Sequence, residues 1–158
     1  MKDISVMIDG VKFNFRVGVI FENKGRVLLE RGYNIDFSVI PGGRVQTLET
    51  VKQALIREIH EELEIDISKE KIDFISIIEN FFTMDETKYH ELYYVFRIKL
   101  DDDNIIAQKN NFINKDSGKS TYTWIDIDKL DNIKILPVQL KDLIKSNHFQ
   151  TIVVDEIN

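Results

Sequence analysis

The side chains in this sequence that are best suited to chemistry are four glutamates in one short segment, Glu58, Glu61, Glu62 and Glu64. In a helix, successive residues turn by about 100°, so the first three side chains would share one side and lie close together. Like charges at this spacing destabilise a helix, and a bound cation relieves the repulsion. Clustered carboxylates suit Mg²⁺ or Mn²⁺, which can bridge phosphate oxygens and activate a water.

An ordinary solvated helix face is the simplest alternative for such a charge run. The helical wheel argues against it. The apolar stripe of this segment consists of Val51, Ala54, Leu55, Ile59 and Leu63. The three carboxylates overlap the edge of that stripe, whereas Arg57, His60 and Glu64 lie on the opposite face. We therefore expect Glu58, Glu61 and Glu62 to point into a groove between the helix and a sheet, and His60 to lie at the surface.

A glycine-rich turn, Pro41-Gly42-Gly43, precedes this segment. Glycine allows unusual backbone angles and a close approach of the backbone to a ligand. A carbonyl oxygen of this turn could therefore complete the coordination of a metal ion.

The segment from residue 43 to residue 65 resembles the Nudix box, in which a glycine, a glutamate and an Arg-Glu-hydrophobic-x-Glu-Glu run occur at these spacings. The matching residues are Gly43, Glu49, Arg57, Glu58, Ile59, Glu61, Glu62 and Ile65. One position differs from the pattern of the box, because this sequence has Glu64 where the family has a glycine. The resemblance is specific, since several charged residues must agree in a fixed register. The Pro-Gly-Gly turn and the late Trp124-Ile125-Asp126 run also look similar to that family.

This resemblance implies a fold and an activity. The fold would be of the α/β class, an α/β/α sandwich with a mixed β-sheet. The activity would be hydrolysis of a phosphoanhydride bond in a nucleoside diphosphate linked to another group, with water attacking phosphorus. Nucleoside triphosphates, nucleotide sugars and dinucleoside polyphosphates all remain open as substrates. The implied cofactor is Mg²⁺, with Mn²⁺ as the alternative.

Roles for individual residues also follow from the resemblance. The implied metal ligands are Glu58, Glu61, Glu62 and the carbonyl oxygen of Gly42. The implied catalytic residues are Glu49, Arg57, Glu58 and Glu61. Arg57 and Glu49 would form a pair that holds the loop against the helix, and Glu58 is a candidate base for the attacking water. Glu64 either adopts a left-handed conformation, at a cost of about 1 kcal/mol, or lets the helix continue.

Several residues outside the box are further candidates. Glu91 and Asp116 could act as an additional metal ligand or base, and the alternative for Glu91 is an ordinary solvent-facing strand residue. Arg44 and Arg31 are expected to contact substrate phosphates, because guanidinium suits phosphate geometry.

Aromatic side chains could stack on the base of a nucleotide, although aromatic residues on strands are more often part of a core. The candidates are Phe37, Phe81, Phe82, Tyr93 and Trp124. We favour the Asn80-Phe81-Phe82 run, and Phe82 in particular, because it precedes a hairpin turn where a pocket can open.

The elements that must position these residues follow from hydrophobic periodicity and turn signals. The predicted strands are residues 4–8, 12–21, 27–31, 37–40, 72–83, 89–100, 122–127 and 151–154, the last at a sheet edge. The catalytic helix is predicted over residues 50–64, where Thr50 and Gln53 match a capping box. A second helix is predicted over residues 136–146 with Pro137 in its first turn. Residues 101–119 are expected to form a loop.

Composition narrows the class of protein. A length of 158 residues suits a single domain, residues 1–158, and 43% hydrophobic residues suit a packed core. The absence of cysteine excludes disulfides and thiol nucleophiles and fits a cytoplasmic location. No apolar run approaches the roughly 20 residues of a membrane span.

The net charge of −6 argues against a broad nucleic-acid surface. The expected partner is a nucleoside diphosphate-type small molecule, and the sequence leaves a homodimer open.

Two rival functions remain at this stage. A catalytically silent module could keep the fold and bind nucleotides without turnover, although the glutamates that such modules lose are intact here. A purely structural acidic helix would need no metal, and Mg²⁺ would then leave the melting temperature unchanged.

Overall fold

The structure, a computed structural model, describes residues 1–146 and 149–157. Within these ranges one sheet is formed by the strands β1 Ser5–Ile8, β2 Val11–Asn23, β3 Arg26–Gly32, β4 Gly42–Arg44, β5 Asp73–Met84, β6 Thr87–Lys99, β7 Asn111–Ile113, β8 Ser120–Asp126 and β9 Gln150–Asp155. Its main path runs β7-β8-β3-β2-β6-β5-β9, and β1 and β4 also pair with β2. The β2–β6 and β5–β9 pairs are parallel and the other pairs are antiparallel, so the predicted mixed sheet is confirmed.

Helical segments cover both faces of this sheet. They are α1 Val51–Leu63, a 3-10 helix Ile127–Asn132 and α2 Leu140–Lys145. Adjacent residues of β2 point to opposite faces, so Val19 packs in the core beneath α1 while Ile20 packs in the core beneath α2. The α/β/α arrangement predicted from the sequence is therefore confirmed. No helix in the part of the chain that the structure describes has both the length and the apolar character of a membrane-spanning segment.

The ends of α1 are set by local chemistry. Gln53 N donates to Thr50 Oγ1 over 3.2 Å and Thr50 N donates to Gln53 Oε1 over 2.8 Å, so the predicted capping box is present. At the other end, Glu64 has φ 58° and ψ 33°, and its N–H donates to His60 O over 3.0 Å. The helix thus ends at a left-handed residue, which settles the two alternatives for Glu64.

Strand β2 is the central element of the sheet. It runs parallel to β6 from Val11 opposite Lys88 to Glu22 opposite Lys99. Its first half also pairs with the hairpin strand β1 and with the short strand β4. The predicted hairpins on residues 4–21 and 72–100 are confirmed, and the predicted edge strand corresponds to β9.

Three predicted elements differ from the structure. Residues 37–40 form no strand and make only isolated bridges, from Val39 to Glu30 and from Ser38 to Ile135. The second helix begins at Leu140 rather than at residue 136, and Pro137 precedes it in a tight turn in which Leu140 N donates to Pro137 O. The loop over residues 101–119 contains β7, which pairs with β8.

The left-handed conformation of Glu64 predicts that glycine at this position stabilises the protein. Glu64→Gly should raise the free energy of unfolding by about 0.5–1 kcal/mol, because glycine adopts this conformation without the steric cost of a Cβ atom. Chemical denaturation of both proteins measures the difference. Glu64→Ala removes the carboxylate but keeps Cβ, so it should not stabilise the protein. An equal gain in both variants would assign the effect to charge and contradict the strain argument.

Candidate active site

The carboxylates of α1 face a groove of about 460 Å³ between the helix, β4 and the residue 114–117 loop, here called the acidic groove. Its lining includes Arg16, Glu30, Gly42, Gly43, Arg44, Arg57, Glu58, Glu61, Glu62, Asn114 and Asp116. Glu62 is 8% exposed and the Glu58 side chain is 14% exposed, whereas the Glu61 side chain is 44% exposed. The groove position expected from the helical wheel is therefore confirmed, with Glu61 nearest to solvent. His60 is exposed, as expected.

The glycines of β4 allow this strand to touch the helix carboxylates. Gly42 has φ 144°, and a Cβ atom on it would lie 2.2 Å from Val17 O. A Cβ atom on Gly43 would lie 2.3 Å from the Glu58 carboxylate. With no side chain in between, Arg44 N donates to Glu58 Oε1 over 3.1 Å and Gly42 N approaches Glu62 Oε2 at 3.3 Å.

Arg57 forms the predicted pair with Glu49. Its Nη2 and Nε atoms contact the two Glu49 oxygens over 2.6 and 3.2 Å. These hydrogen bonds raise the pKa of Arg57 above its ordinary value. Nη1 contacts Glu58 over 2.9 Å and Glu61 over 3.1 Å, and Nη2 donates to Arg44 O over 2.9 Å. The wheel places Arg57 on the far face, but its long side chain folds along the helix, so it cross-links the loop and two carboxylates.

Glu62 lies in a different environment, with neutral donors instead of a cation. Tyr122 Oη donates to Glu62 Oε2 over 2.8 Å, and Asn114 Nδ2 donates to Glu62 Oε1 over 3.3 Å. Asn114 Nδ2 also contacts Glu30 Oε1 over 3.0 Å, and Ser120 Oγ donates to the same oxygen. Burial, followed by the charge of Glu30, raises the pKa of Glu62 to about 8.

Glu30 and Asn114 are site residues that the sequence reasoning missed. Glu30 belongs to β3, where Leu28 and Leu29 are buried, so a glutamate in an apolar strand was the available signal. Asn114 lies in a polar segment without any motif. Its Oδ1 accepts from Asp116 N and Ser117 N, each over 3.0 Å, which holds this loop over the groove.

The donor set has the chemistry of a site for a hard divalent cation. Burial raises the pKa of Glu58, and Glu62 lies near Glu30, so added positive charge would be favourable at both positions. Among the residues that the structure describes, no three acidic or histidine side chains already converge as a metal site. Arg57 instead contacts Glu58 and Glu61, and these carboxylates would turn from it to hold a cation.

The remaining acidic candidates occupy distinct positions. Asp116 lines the acidic groove. Glu91 is 5% exposed, and its Oε1 atom accepts from Asn14 Nδ2 over 3.0 Å and lies 3.7 Å from Arg16 Nη1. The alternative of a solvent-facing strand residue is therefore wrong for Glu91, while a catalytic role for either residue stays a prediction.

A second cavity of about 380 Å³, here called the aromatic cleft, adjoins the acidic groove and shares Arg16 and Arg44 with it. Its lining also includes Asn14, Phe37, Asn80, Phe82, Met84, Tyr89, Glu91, Leu136 and Pro137. Phe82 stacks on Tyr89 with ring centroids 4.8 Å apart. Among the predicted aromatic candidates, Phe37 and Phe82 thus line a cavity.

The other candidates lie elsewhere. Tyr93 and Trp124 are buried, and Trp124 Nε1 donates to Ile106 O over 2.9 Å. Phe81 packs against His90 with ring centroids 4.4 Å apart. Arg31 lines a separate surface cavity, where its Nε donates to Ile35 O over 2.9 Å, and it is not among the residues that line the acidic groove.

Comparison with known proteins agrees with this geometry. The model of the NUDIX domain matches residues 12–146, so the chain belongs to the Nudix family. The 8-oxo-dGTP diphosphatase of Proteus vulgaris is 33% identical over 67 residues, which span 40% of this chain and 60% of that relative.

Two solved structures share the fold. One is the mutator protein MutT of Bacillus halodurans, with a TM-score of 0.65 and 16% identity over 87% of this chain and 86% of that chain. The other is the dihydroneopterin triphosphate pyrophosphohydrolase of E. coli, with a TM-score of 0.60 and 20% identity over 83% of this chain and 92% of that chain.

The raised pKa of Glu62 predicts how the stability of the metal-free protein depends on pH. The pKa moves from 4.5 to about 8 on folding, so the folded protein retains a proton that the unfolded chain releases. The contribution of this proton to the free energy of unfolding is fully present below pH 4.5 and is lost as the pH rises to about 8. Its slope is at most about 1.4 kcal/mol per pH unit. In EDTA from pH 5 to pH 8, the free energy of unfolding should fall more steeply for the wild type than for Glu62→Gln.

Glu64→Gln is the matched control for this measurement, because it makes the same change at an exposed position of the same helix end. It should retain the slope of the wild type. Parallel curves for the wild type and Glu62→Gln would contradict the assignment of the proton to Glu62.

Proposed function

We propose that this chain is a Mg²⁺-dependent pyrophosphohydrolase that cleaves a phosphoanhydride bond in a nucleoside diphosphate linked to another group. The observation that carries the proposal is that Glu30, Glu58 and Glu62 line one groove, which shares Arg16 and Arg44 with an aromatic cleft. A negative groove suits a cation that accompanies phosphate, and the adjoining cleft offers space for a ring. The membership of the Nudix family supports this assignment.

The proposed metal ligands are Glu58, Glu61, Glu62 and the carbonyl oxygen of Gly42. Carboxylate and carbonyl oxygens fit Mg²⁺, and Mn²⁺ is the alternative. When bound, the cation would supply charge neutralisation to the phosphates and activation to a water. The chain itself positions these metal ligands, because the ion pair between Arg57 and Glu49 links the segment before α1 to the helix.

Proton removal from the attacking water needs a nearby base. Glu58 is the proposed base, because its carboxylate lines the acidic groove in which the attacking water would lie. Asp116 in the acidic groove and Glu91 in the aromatic cleft are the other candidates. Arg44 is proposed to contact the substrate phosphates from the edge of the groove.

The aromatic cleft is the proposed site for the organic part of the substrate. Its volume of about 380 Å³ lies within the range of about 300–1,000 Å³ that is usual for ligand pockets. Phe37 and Phe82 would contact the ring. The named substrates of two similar proteins, 8-oxo-dGTP and dihydroneopterin triphosphate, are both heterocyclic triphosphates, which supports a substrate of that kind. A single domain and a cytoplasmic location stay predictions.

A substrate panel tests this function. Purified protein with Mg²⁺ or Mn²⁺ should release phosphate, pyrophosphate or a nucleoside monophosphate from at least one nucleoside triphosphate, nucleotide sugar or dinucleoside polyphosphate. Glu62→Gln should lower the rate at least about 100-fold while the protein stays folded, because a metal ligand is lost. Glu64→Gln changes a carboxylate beyond the groove and should keep the rate of the wild type.

Two outcomes would reject the proposal. Unchanged turnover in Glu62→Gln would rule out its role as a metal ligand. Nucleotide binding seen by calorimetry, with no hydrolysis under either metal, would favour the silent binding module.

A further inference from the structure

Two arginines stand side by side where the acidic groove meets the aromatic cleft. Arg16 of β2 and Arg44 of β4 are direct partners in the antiparallel ladder. Directly opposite residues project on the same face, and like charges there destabilise the pairing of the strands. Both side chains line both cavities. The sequence therefore maintains two positive charges at a place where strand pairing alone would disfavour them.

Among the described residues, neither guanidinium group donates a side-chain hydrogen bond, so both keep donors for a ligand. Each has five N–H donors, and the Nε atom of each is buried without a hydrogen-bond partner among the described residues. Arg16 Nη1 lies 3.7 Å from Glu91 Oε1, and Arg44 Nη1 lies 3.8 Å from Asp3 Oδ2, which are ion-pair rather than hydrogen-bond distances. The two side chains are 32% and 42% exposed, so part of each is open to the cavities.

Arg16 is also held in position before any ligand arrives. Its Cζ atom lies 5.5 Å from the ring centroid of Tyr93, a cation–π contact. The Glu91 carboxylate beside it accepts from Asn14 Nδ2 over 3.0 Å, and Asn14 Oδ1 accepts from Ser5 Oγ over 2.7 Å. A guanidinium fixed in this way loses little further freedom when it binds an anion.

On the basis of the hydrolase function above, we propose that Arg16 and Arg44 together bind the phosphate that is attached directly to the organic part of the substrate. The planar fork of a guanidinium can donate two parallel hydrogen bonds to the oxygens of one phosphate. The substrate then lies across the junction of the cavities. Its ring occupies the aromatic cleft, its first phosphate lies between the arginines, and its outer phosphate lies over Glu58 and Glu62.

This placement defines which ligands the site selects. The chain should prefer a nucleoside that carries a phosphate to the same nucleoside without one, even when no scissile bond is present. The preference depends on the positive charge and the donor geometry of Arg16 and Arg44. Neither the box carboxylates nor the aromatic residues supply it.

Binding measurements with non-hydrolysable probes test the proposal. AMP, GMP, CMP and UMP are titrated against the protein beside their four nucleosides, by ligand-observed NMR, in EDTA and in Mg²⁺. For at least one base, the wild type should bind the monophosphate about 10- to 100-fold more tightly than the nucleoside, as one or two charge-assisted hydrogen bonds provide. Arg16→Met and Arg44→Met should each remove most of this preference. Arg16→Lys keeps the charge without the fork and should retain part of it.

Lys24→Met is the control, because it removes one positive charge from the β2–β3 turn, away from both cavities. It should leave the preference at the wild-type value. Circular dichroism and thermal melting establish that each variant is folded, and Arg44→Met carries the test if Arg16→Met does not fold. A wild type without the preference, or an unchanged preference in the folded arginine variants under both conditions, would overturn the proposal.

Hydrolysis assays on the same samples separate this proposal from the proposed function. If the chain hydrolyses nothing but Arg16→Met still loses the preference, the phosphate site stands and the hydrolase function fails. If the chain is active and the variants keep both the KM and the preference of the wild type, the phosphate site fails and the hydrolase function stands. If the phosphate site and the hydrolase function are both correct, Arg16→Met and Arg44→Met should raise KM more than they lower kcat.

Discussion

The site depends on a contact between β4 and α1 that leaves no space for a side chain. Gly43 lies against the Glu58 carboxylate, and Gly42 adopts a backbone conformation that other residues rarely adopt. Because the strand comes this close, the N–H groups of Gly42 and Arg44 face carboxylates of the helix. A side chain at residue 43 would displace the Glu58 carboxylate, which would then lose its contact with Arg44 N.

Charge is balanced differently at the two ends of the acidic groove. At the outer end, Arg57 is an internal cation that Glu49, Glu58 and Glu61 share. At the inner end, Glu62 is surrounded by neutral donors and lies near a second carboxylate, Glu30. A bound cation would therefore be stabilised more strongly at the inner end. There, no side chain of the described residues already neutralises the carboxylates by a direct ion pair.

The sequence predicted the features that depend on local chemistry. The capping box at Thr50 and the inward direction of the helix carboxylates follow from spacing within one segment, and the Arg57–Glu49 pair follows from the resemblance to the Nudix box. It did not predict Glu30 or Asn114, because strand pairing between β3 and β8 and the course of a loop bring them to the groove. The strand expected over residues 37–40 is reduced to two isolated bridges, because the apolar pattern that predicts it reports burial rather than backbone pairing.

The parallel pairing of β2 with β6 brings together segments that are far apart in the chain. Contacts of this kind slow folding, because the entropy of closing a long loop is lost before the contacts stabilise anything. Arg16 comes from one of these strands, and Tyr93 and Glu91 come from the other. A partly folded chain that already contains α1 would thus lack the far wall of its cavities. Ligand binding across that wall would slow the opening of the central strands and protect their amide hydrogens from exchange, well beyond the residues that touch the ligand.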